Sequence, residues 1–147
     1  MKRFFWGSIR ENVFLVVALL VLLLGSECLA YKPAVIGGVR DGLALGIMAD
    51  QNVKPNVGIR FGAEANTGGN PLILFFGGKF HLQNISGRYP MALGLGLVGY
   101  FGNQNSQAGV SVSLIFDRPF DLDSFFFEGG IDVVGSGRLQ LQAGYYL

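Results

Sequence analysis

The sequence holds few side chains of the types that catalyse reactions or bind metals. Its single histidine, His81, lies in residues 80–84 (FHLQN), where no serine or cysteine stands beside it as a nucleophile. The glycines of residues 94–99 (GLGLVG) imitate a dinucleotide-binding loop, but the helical pattern that this motif requires does not follow them. The carboxylates are too scattered along the chain to propose a metal site. We therefore expect no enzymatic activity, no cofactor and no metal.

The composition differs from that of an ordinary soluble domain. Hydrophobic residues make up 50% of the 147 residues, 23 residues are glycine, and only 14% are charged, whereas soluble chains carry about 25% charged residues. The net charge of +1 provides no basic surface for nucleic acid. Because no long apolar run follows residue 30, the hydrophobicity is spread over many short segments, which is typical of membrane strands.

Residues 1–30 have the organisation of a cleavable secretory signal peptide. Basic residues precede an apolar run over residues 13–24, and small residues follow at Cys28 and Ala30. The basic residues are Lys2, Arg3 and Arg10. The alternative, an uncleaved membrane anchor, needs about 20 apolar residues, and this run has about a dozen. We expect cleavage after Ala30, which leaves residues 31–147 as the folded domain and removes the only cysteine.

From residue 31 onward, apolar and polar residues alternate with the period of two that indicates β-strands. Clear strands are predicted at residues 57–65, 72–83, 89–101, 109–117, 125–133 and 138–147. Weaker strands are predicted at residues 34–39 and 43–48, joined by a turn at Asp41-Gly42. In the clear strands one face is apolar and uncharged, and the opposite face carries the polar residues. The polar residues of interest are Arg60, Glu64, Lys79, His81, Glu128, Asp132, Arg138 and Gln140.

We expect these strands to close into an up-and-down antiparallel barrel of about eight strands that spans a membrane, with the apolar face toward lipid. The opposite face is rich in Gly, Ala and Ser, which suits the interior of a narrow barrel. Closure requires the first and last strands to pair, because open edges in hydrocarbon would leave backbone groups unpaired. Aromatic residues near one rim indicate an interfacial girdle, with core filling as the alternative. They are Phe80, Tyr89, Phe116, Phe125 and Tyr145.

The charged residues of the polar face would then lie inside the barrel. We predict that Arg60, Glu64, Lys79, Glu128, Asp132 and Arg138 form a mutually paired polar core. Asp132 and Arg138 would lie diagonally across the last hairpin if residues 135–137 form its turn. An interior filled by side chains predicts a closed barrel and not an open pore.

The C-terminal residues resemble a known sorting signal. Alternating apolar residues continue to the last position, as in the segment that the barrel-assembly machinery of Gram-negative bacteria reads. These residues are Leu139, Leu141, Ala143, Tyr145 and Leu147. Residues 31–147 as a whole resemble the small eight-stranded outer-membrane barrels of the OmpA and OmpX type. The resemblance implies a bacterial outer-membrane location, lipid and the assembly machinery as partners, and a structural or interaction role. It leaves the oligomeric state open.

Two other functions stay open from the sequence. Some outer-membrane barrels modify the acyl chains of lipid A, and one such group uses a histidine with a serine two residues later. Here Gln83 stands in that position after His81. A secreted soluble barrel similar to the lipocalins would instead enclose an apolar ligand and turn its charged face to water. Its pocket would be lined by Phe76, Leu93, Leu95 and Phe127.

Overall fold

The computed structural model describes residues 31–82, 90–103 and 105–147. Eight antiparallel strands form a closed barrel in which consecutive strands pair and β1 pairs with β8. The strands are β1 (Lys32–Arg40), β2 (Leu43–Lys54), β3 (Val57–Asn66), β4 (Leu72–His81), β5 (Met91–Phe101), β6 (Gln107–Asp117), β7 (Phe125–Val134) and β8 (Ser136–Tyr146), with a short 3-10 helix at Pro119–Asp121. The predicted all-β, closed, eight-stranded antiparallel barrel is confirmed.

The two ends of the barrel differ in their connections. One end, here called the terminal end, holds the start of β1, the end of β8 and the connections at residues 55–56, 82–90 and 118–124. The other, here called the distal end, holds the connections at residues 41–42, 67–71, 102–106 and 135. Gly135 has φ +70°, a left-handed conformation that glycine adopts without strain, and this lets β7 turn directly into β8. The longer connections are therefore at the terminal end.

Some predictions fall on parts of the chain that are not described. The predicted signal peptide, residues 1–30, lies outside the described residues, as do Tyr89 and residues 83–88. Among the residues that the structure covers, no helix is long and apolar enough to cross a membrane.

Alternation along each strand separates an apolar outer face from an inner face that holds the buried charges. Successive side chains of a strand point to opposite faces of the sheet, so every second side chain faces outward and the ones between face the interior. Leu97 is 64% exposed, whereas its neighbour Val98 is 2% exposed. The exposed residues include Leu45, Ile47, Phe76, Leu95, Val112, Ile131, Leu139 and Leu141. The outer surface of the barrel is thus apolar across its strands.

The first two strands are longer than the sequence predicts. β1 continues to Arg40 and β2 continues to Lys54, beyond the predicted ends at residues 39 and 48. Pairing with β8 resolves the faces of β1 that its glycines obscure: Ala34 and Ile36 are buried and Val39 is exposed. The added residues matter because they bring two further buried charges, Arg40 and Asp50, into the interior.

A glycine opposite a phenylalanine fixes the packing of the interior near the terminal end. Gly144 pairs with Phe126 across the β7–β8 ladder, and a Cβ at position 144 would overlap the Phe126 ring. The ring is fully buried, and its centroid lies 5.0 Å from that of Tyr146. Because both rings fill the interior, the Phe126 side chain has little room to move away from a larger neighbour.

We expect the change Gly144→Ala to lower the free energy of unfolding by about 1–3 kcal/mol through overpacking. Gly129→Ala is the matched control, since the atom nearest to a Cβ there is Leu141 Cδ2 at 3.4 Å, an ordinary contact. Urea titration of both variants in the same detergent measures the difference. Equal stabilities for the two variants would contradict the proposed role of Gly144.

Candidate functional site

The largest group of buried polar residues centres on Arg40, at the end of β1. The Arg40 Nε donates to Asp132 Oδ2 at 2.7 Å, and Nη2 donates to Asp132 Oδ1 at 3.1 Å. The Arg40 Nη1 donates to Glu64 Oε1 at 2.6 Å. A guanidinium presents its donors in a planar fork, and this fork meets both carboxylate oxygens of Asp132. Arg40 therefore joins β1, β3 and β7 across the interior, toward the distal end of the barrel.

Neutral side chains complete the hydrogen bonding of the two carboxylates. The Tyr100 hydroxyl donates to Asp132 Oδ2 at 2.6 Å, and Gln142 Nε2 donates to Glu64 Oε2. Gln140 Nε2 donates in turn to Gln142 Oε1 at 2.7 Å. Buried charges are stable only when their remaining polar atoms also have partners, and these carboxylate oxygens do. We call Arg40, Glu64, Tyr100, Asp132, Gln140 and Gln142 the Arg40 cluster.

Arg60 and Glu128 form a second buried ion pair. The Arg60 Nη2 lies 2.8 Å from Glu128 Oε2, and the Ser113 hydroxyl donates to Glu128 Oε1 at 2.6 Å. The guanidinium lies over the Phe75 and Phe126 rings at 5.9 Å from each centroid. Arg60 Nε is buried without a hydrogen-bond partner among the described residues, and Arg60 lines a cavity of about 30 Å³. That volume is sufficient for a water molecule.

Lys79 forms a third group at the terminal end. Its Nζ lies 2.9 Å from Asp117 Oδ1 and 3.3 Å from Asp50 Oδ2. The Tyr146 hydroxyl lies 3.3 Å from Lys79 Nζ and donates to Asp50 Oδ2 at 2.9 Å. A cavity of about 280 Å³ opens beside this group, and His81 lines it with Nε2 3.4 Å from Asn52 Oδ1. His81 thus lies at the terminal end, apart from the Arg40 cluster.

Arg138 belongs to the distal end. Its Nη1 lies 2.6 Å from Asp41 Oδ2, and its Nη2 donates to Gln107 Oε1 at 2.9 Å. The guanidinium carbon lies 4.4 Å from the centroid of the Tyr100 ring. Asp132 is the direct ladder partner of Arg138 and not its diagonal neighbour. Their hydrogen bonds nevertheless go to different groups, since Asp132 bonds with Arg40.

Of the predicted residues, only Arg60 and Glu128 pair directly with each other. Glu64 and Asp132 pair instead with Arg40, Lys79 pairs with Asp50 and Asp117, and Arg138 pairs with Asp41. Gln140 joins the Arg40 cluster through Gln142. The sequence reasoning missed Arg40, Asp50, Tyr100, Gln142 and Tyr146 as partners. The inner residues of β1 and β2 are even-numbered, so continuing the same alternation past residues 39 and 48 would have reached Arg40 and Asp50.

Apolar side chains occupy the rest of the interior. One cluster, toward the terminal end, contains Ala34, Ile36, Met48, Ala92, Ile115 and Phe126. Another, toward the distal end, contains Ile73, Val98, Tyr100 and Val134. Phe75 packs against both clusters. Together with the ion pairs, these side chains close the interior along the barrel axis.

The predicted rim aromatics that are described lie on the outer surface at the terminal end. Phe80, Phe116 and Tyr145 each stand one residue before the end of a strand, and Phe125 begins β7. All four are exposed, and the rings of Phe125 and Tyr145 meet edge to face with centroids 5.1 Å apart.

Among residues 31–82, 90–103 and 105–147, no group of three or more His, Cys, Asp or Glu side chains is placed to hold a metal ion. Ser113 donates to the ion-paired Glu128, so its hydroxyl hydrogen bonds within a structural pair. The arrangement is suited to holding strands together.

Comparisons of the chain with protein-family models, with curated proteins and with solved structures find no match. A function must therefore be inferred from the geometry.

Proposed function

We propose that residues 31–147 form a membrane-spanning barrel of the bacterial outer membrane, with a structural or interaction role. The observation that carries the proposal is the arrangement of the two faces: large apolar side chains point outward on the strands, while the buried ion pairs of Arg40, Arg60 and Lys79 lie inside. Soluble monomers rarely expose contiguous apolar patches beyond a few hundred Å². An outward apolar band around a polar interior is what a transmembrane barrel requires.

The dimensions of the strands agree with this location. The strands contain between 9 and 12 residues, and a tilted membrane strand needs about 9–11. Pairing of β1 with β8 leaves no open sheet edge, which hydrocarbon would not tolerate. The exposed rings at the terminal end would lie at the membrane–water interface, where aromatic side chains are favoured.

Outer-membrane lipid and the barrel-assembly machinery are the proposed partners. The outward residues of β8 include Leu139, Leu141 and Tyr145, all exposed, and Leu147 follows at the end of the chain. This is the face of the last strand that the assembly machinery would read, by resemblance to the OmpA and OmpX type. Export would use the signal peptide proposed for residues 1–30.

A closed interior argues against an open pore as the role of the barrel. The Arg40 cluster and the two apolar clusters occupy the cross-section, and small barrels of this strand number are generally filled by their own side chains. In planar bilayers we expect no stable ion conductance of the size that porins show. Such a conductance would contradict the proposal of a filled interior.

The two alternatives have less support from the described geometry. A lipocalin-like pocket lined by Phe76, Leu95 and Phe127 would need an inverted barrel, since all three are exposed on the outer surface. A lipid A-modifying centre at His81 would need a nucleophile, and the atom that His81 contacts belongs to the amide of Asn52.

Expression of the full chain in a Gram-negative host tests the proposal. We expect recovery in the outer-membrane fraction only with detergent, a gel mobility that changes on boiling, and an N-terminus at Tyr31 by mass spectrometry. Recovery as a soluble periplasmic protein would contradict the membrane location. An uncleaved N-terminus on an otherwise detergent-dependent, heat-modifiable barrel would contradict the signal peptide alone.

A further inference from the structure

The distal end of the barrel contains an open polar cavity of about 440 Å³. Its described lining comes from four places: the connection between β3 and β4, residues 103 and 105 between β5 and β6, the start of β6, and the start of β8. The lining residues are Gly69, Asn70, Pro71, Asn103, Asn105, Gln107 and Arg138. Its volume falls within the range of about 300–1,000 Å³ that is usual for small-molecule sites. We call this cavity the distal cup.

The chemistry of the distal cup restricts its ligand. Carboxamides make up four of the seven described lining residues, and none of these seven has a large apolar side chain. Arg138, the cation among the described lining residues, is neutralised by Asp41 at 2.6 Å. Among the described lining residues an acyl chain would find only Pro71 as an apolar side chain, and a free ion would find no net opposite charge. Amides both donate and accept hydrogen bonds, as hydroxyl groups do, so the cup matches a neutral ligand with many hydroxyls.

One wall of the cup is held rigid by its own hydrogen bonds. Asn66 Nδ2 donates to the Arg40 carbonyl at 2.8 Å, and the Gly68 amide donates to Asn66 Oδ1 at 3.1 Å. The backbone amide of Leu43 donates to Thr67 Oγ1 at 3.0 Å. These bonds tie the β3–β4 connection to the β1–β2 turn. Asn70, in the same connection, places its carboxamide oxygen 2.7 Å from where a Cβ of residue 102 would be, so Gly102 allows this close approach.

The floor of the cup is fixed as well. Asp41 and Gln107 hold the two terminal nitrogens of Arg138, and the Tyr100 ring lies 4.4 Å beneath its guanidinium. Since a guanidinium carries five N–H donors, some remain for a ligand above it. Groups that are ordered before binding lose little conformational entropy when the ligand arrives.

We infer that the distal cup is a binding site for a neutral saccharide, whose hydroxyls would bond with the amides of Asn70, Asn103, Asn105 and Gln107. This inference does not depend on the proposed membrane location, because the cup is defined by the barrel alone. In an outer-membrane barrel whose termini face the periplasm, the cup would face the cell exterior.

Saturation-transfer NMR on the full chain in detergent tests the inference, with glucose, galactose, N-acetylglucosamine and maltotriose as neutral probes and galacturonate and glucose 6-phosphate as anionic ones. We expect at least one neutral probe to show saturation transfer from the protein. We also expect that binding to be unchanged in about 0.5 M NaCl, because salt at this concentration screens exposed charges. No contact from any neutral probe would overturn the inference. Binding of the anionic probes alone, abolished by salt, would overturn the neutral class and identify an anion site.

Substitutions of the carboxamide residues test whether the saccharide binds in the distal cup. We expect the double variant Asn70→Ala, Asn105→Ala to bind the probe that gave a signal about tenfold more weakly, because hydrogen bonds to the ligand are removed. Asn52→Ala is the matched control, since Asn52 lies at the terminal end and lines the cavity of about 280 Å³ beside Lys79. Gel mobility before and after boiling shows whether each variant is folded. Unchanged affinity in a folded Asn70→Ala and Asn105→Ala variant would overturn the assignment to the distal cup.

Discussion

Replacing Arg40 with leucine is expected to lower the free energy of unfolding by about 3–5 kcal/mol, the range measured when one partner of a buried ion pair is removed. Arg40 is 2% exposed, and its guanidinium is the cation that bonds with both Glu64 and Asp132. Without it, two carboxylates in a closed interior would lose their neutralising partner, while Tyr100 and Gln142 would supply only neutral donors. Urea unfolding in detergent or vesicles measures the loss.

Two further variants identify the cause of that loss. Lys32→Leu, on the same strand but exposed, is expected to change the stability by no more than about 0.5 kcal/mol. The triple variant Arg40→Met, Glu64→Leu, Asp132→Leu is expected to recover much of the stability, because an apolar replacement removes the charges together. If Arg40→Leu were as stable as the parent protein, the Arg40 cluster would have no role in holding the barrel closed.

Replacing Leu97 with arginine is expected to lower the stability of the barrel in lipid vesicles by about 2–4 kcal/mol, the cost of a cation at the bilayer midplane. Leu97 lies next to the middle of β5 and is 64% exposed on the outer face. The expectation follows from the proposed membrane location. In a water-soluble barrel the same change would be nearly neutral, because an exposed leucine would exchange for an exposed arginine.

Val53→Arg is the depth control for this experiment. Val53 is also exposed, but it stands next to the last residue of β2, at the terminal end. We expect a loss of about 0–1 kcal/mol there, since a cation near the interface reaches the headgroups and water. Small and equal effects at both positions would show that the outer face of the barrel does not meet hydrocarbon.

The faces of the strands could be predicted from the sequence because they depend on local geometry alone. Successive residues of a strand alternate sides, so Arg60 and Glu64 had to share one face of β3, and Glu128 and Asp132 one face of β7. Prediction was weaker for β1, where glycines on both faces remove the contrast between them. Pairing with β8, a distant segment, is what resolves the two faces there.

The partners of the inner side chains could not be predicted in the same way. Which inner residues meet across the barrel depends on strand tilt and stagger, and these are properties of the closed sheet. Asp132 and Arg138 are ladder partners, yet Asp132 bonds across the interior with Arg40. Tyr100 and Tyr146 have the parity of the inner face, but parity does not say which buried carboxylate a hydroxyl reaches across the barrel, so both were missed as partners.

The bond between Arg40 and Asp132 joins residues that are 92 positions apart, so it constrains the order in which the chain becomes stable. The first strand emerges with a cation whose second carboxylate partner is supplied only by β7. Contacts of such long sequence separation form late and slow the folding of β-proteins. A barrel that lacks its last two strands would therefore leave Arg40 without Asp132 and Arg60 without Glu128. Assembly of this protein is expected to be all-or-none, with no stable half-barrel along the way.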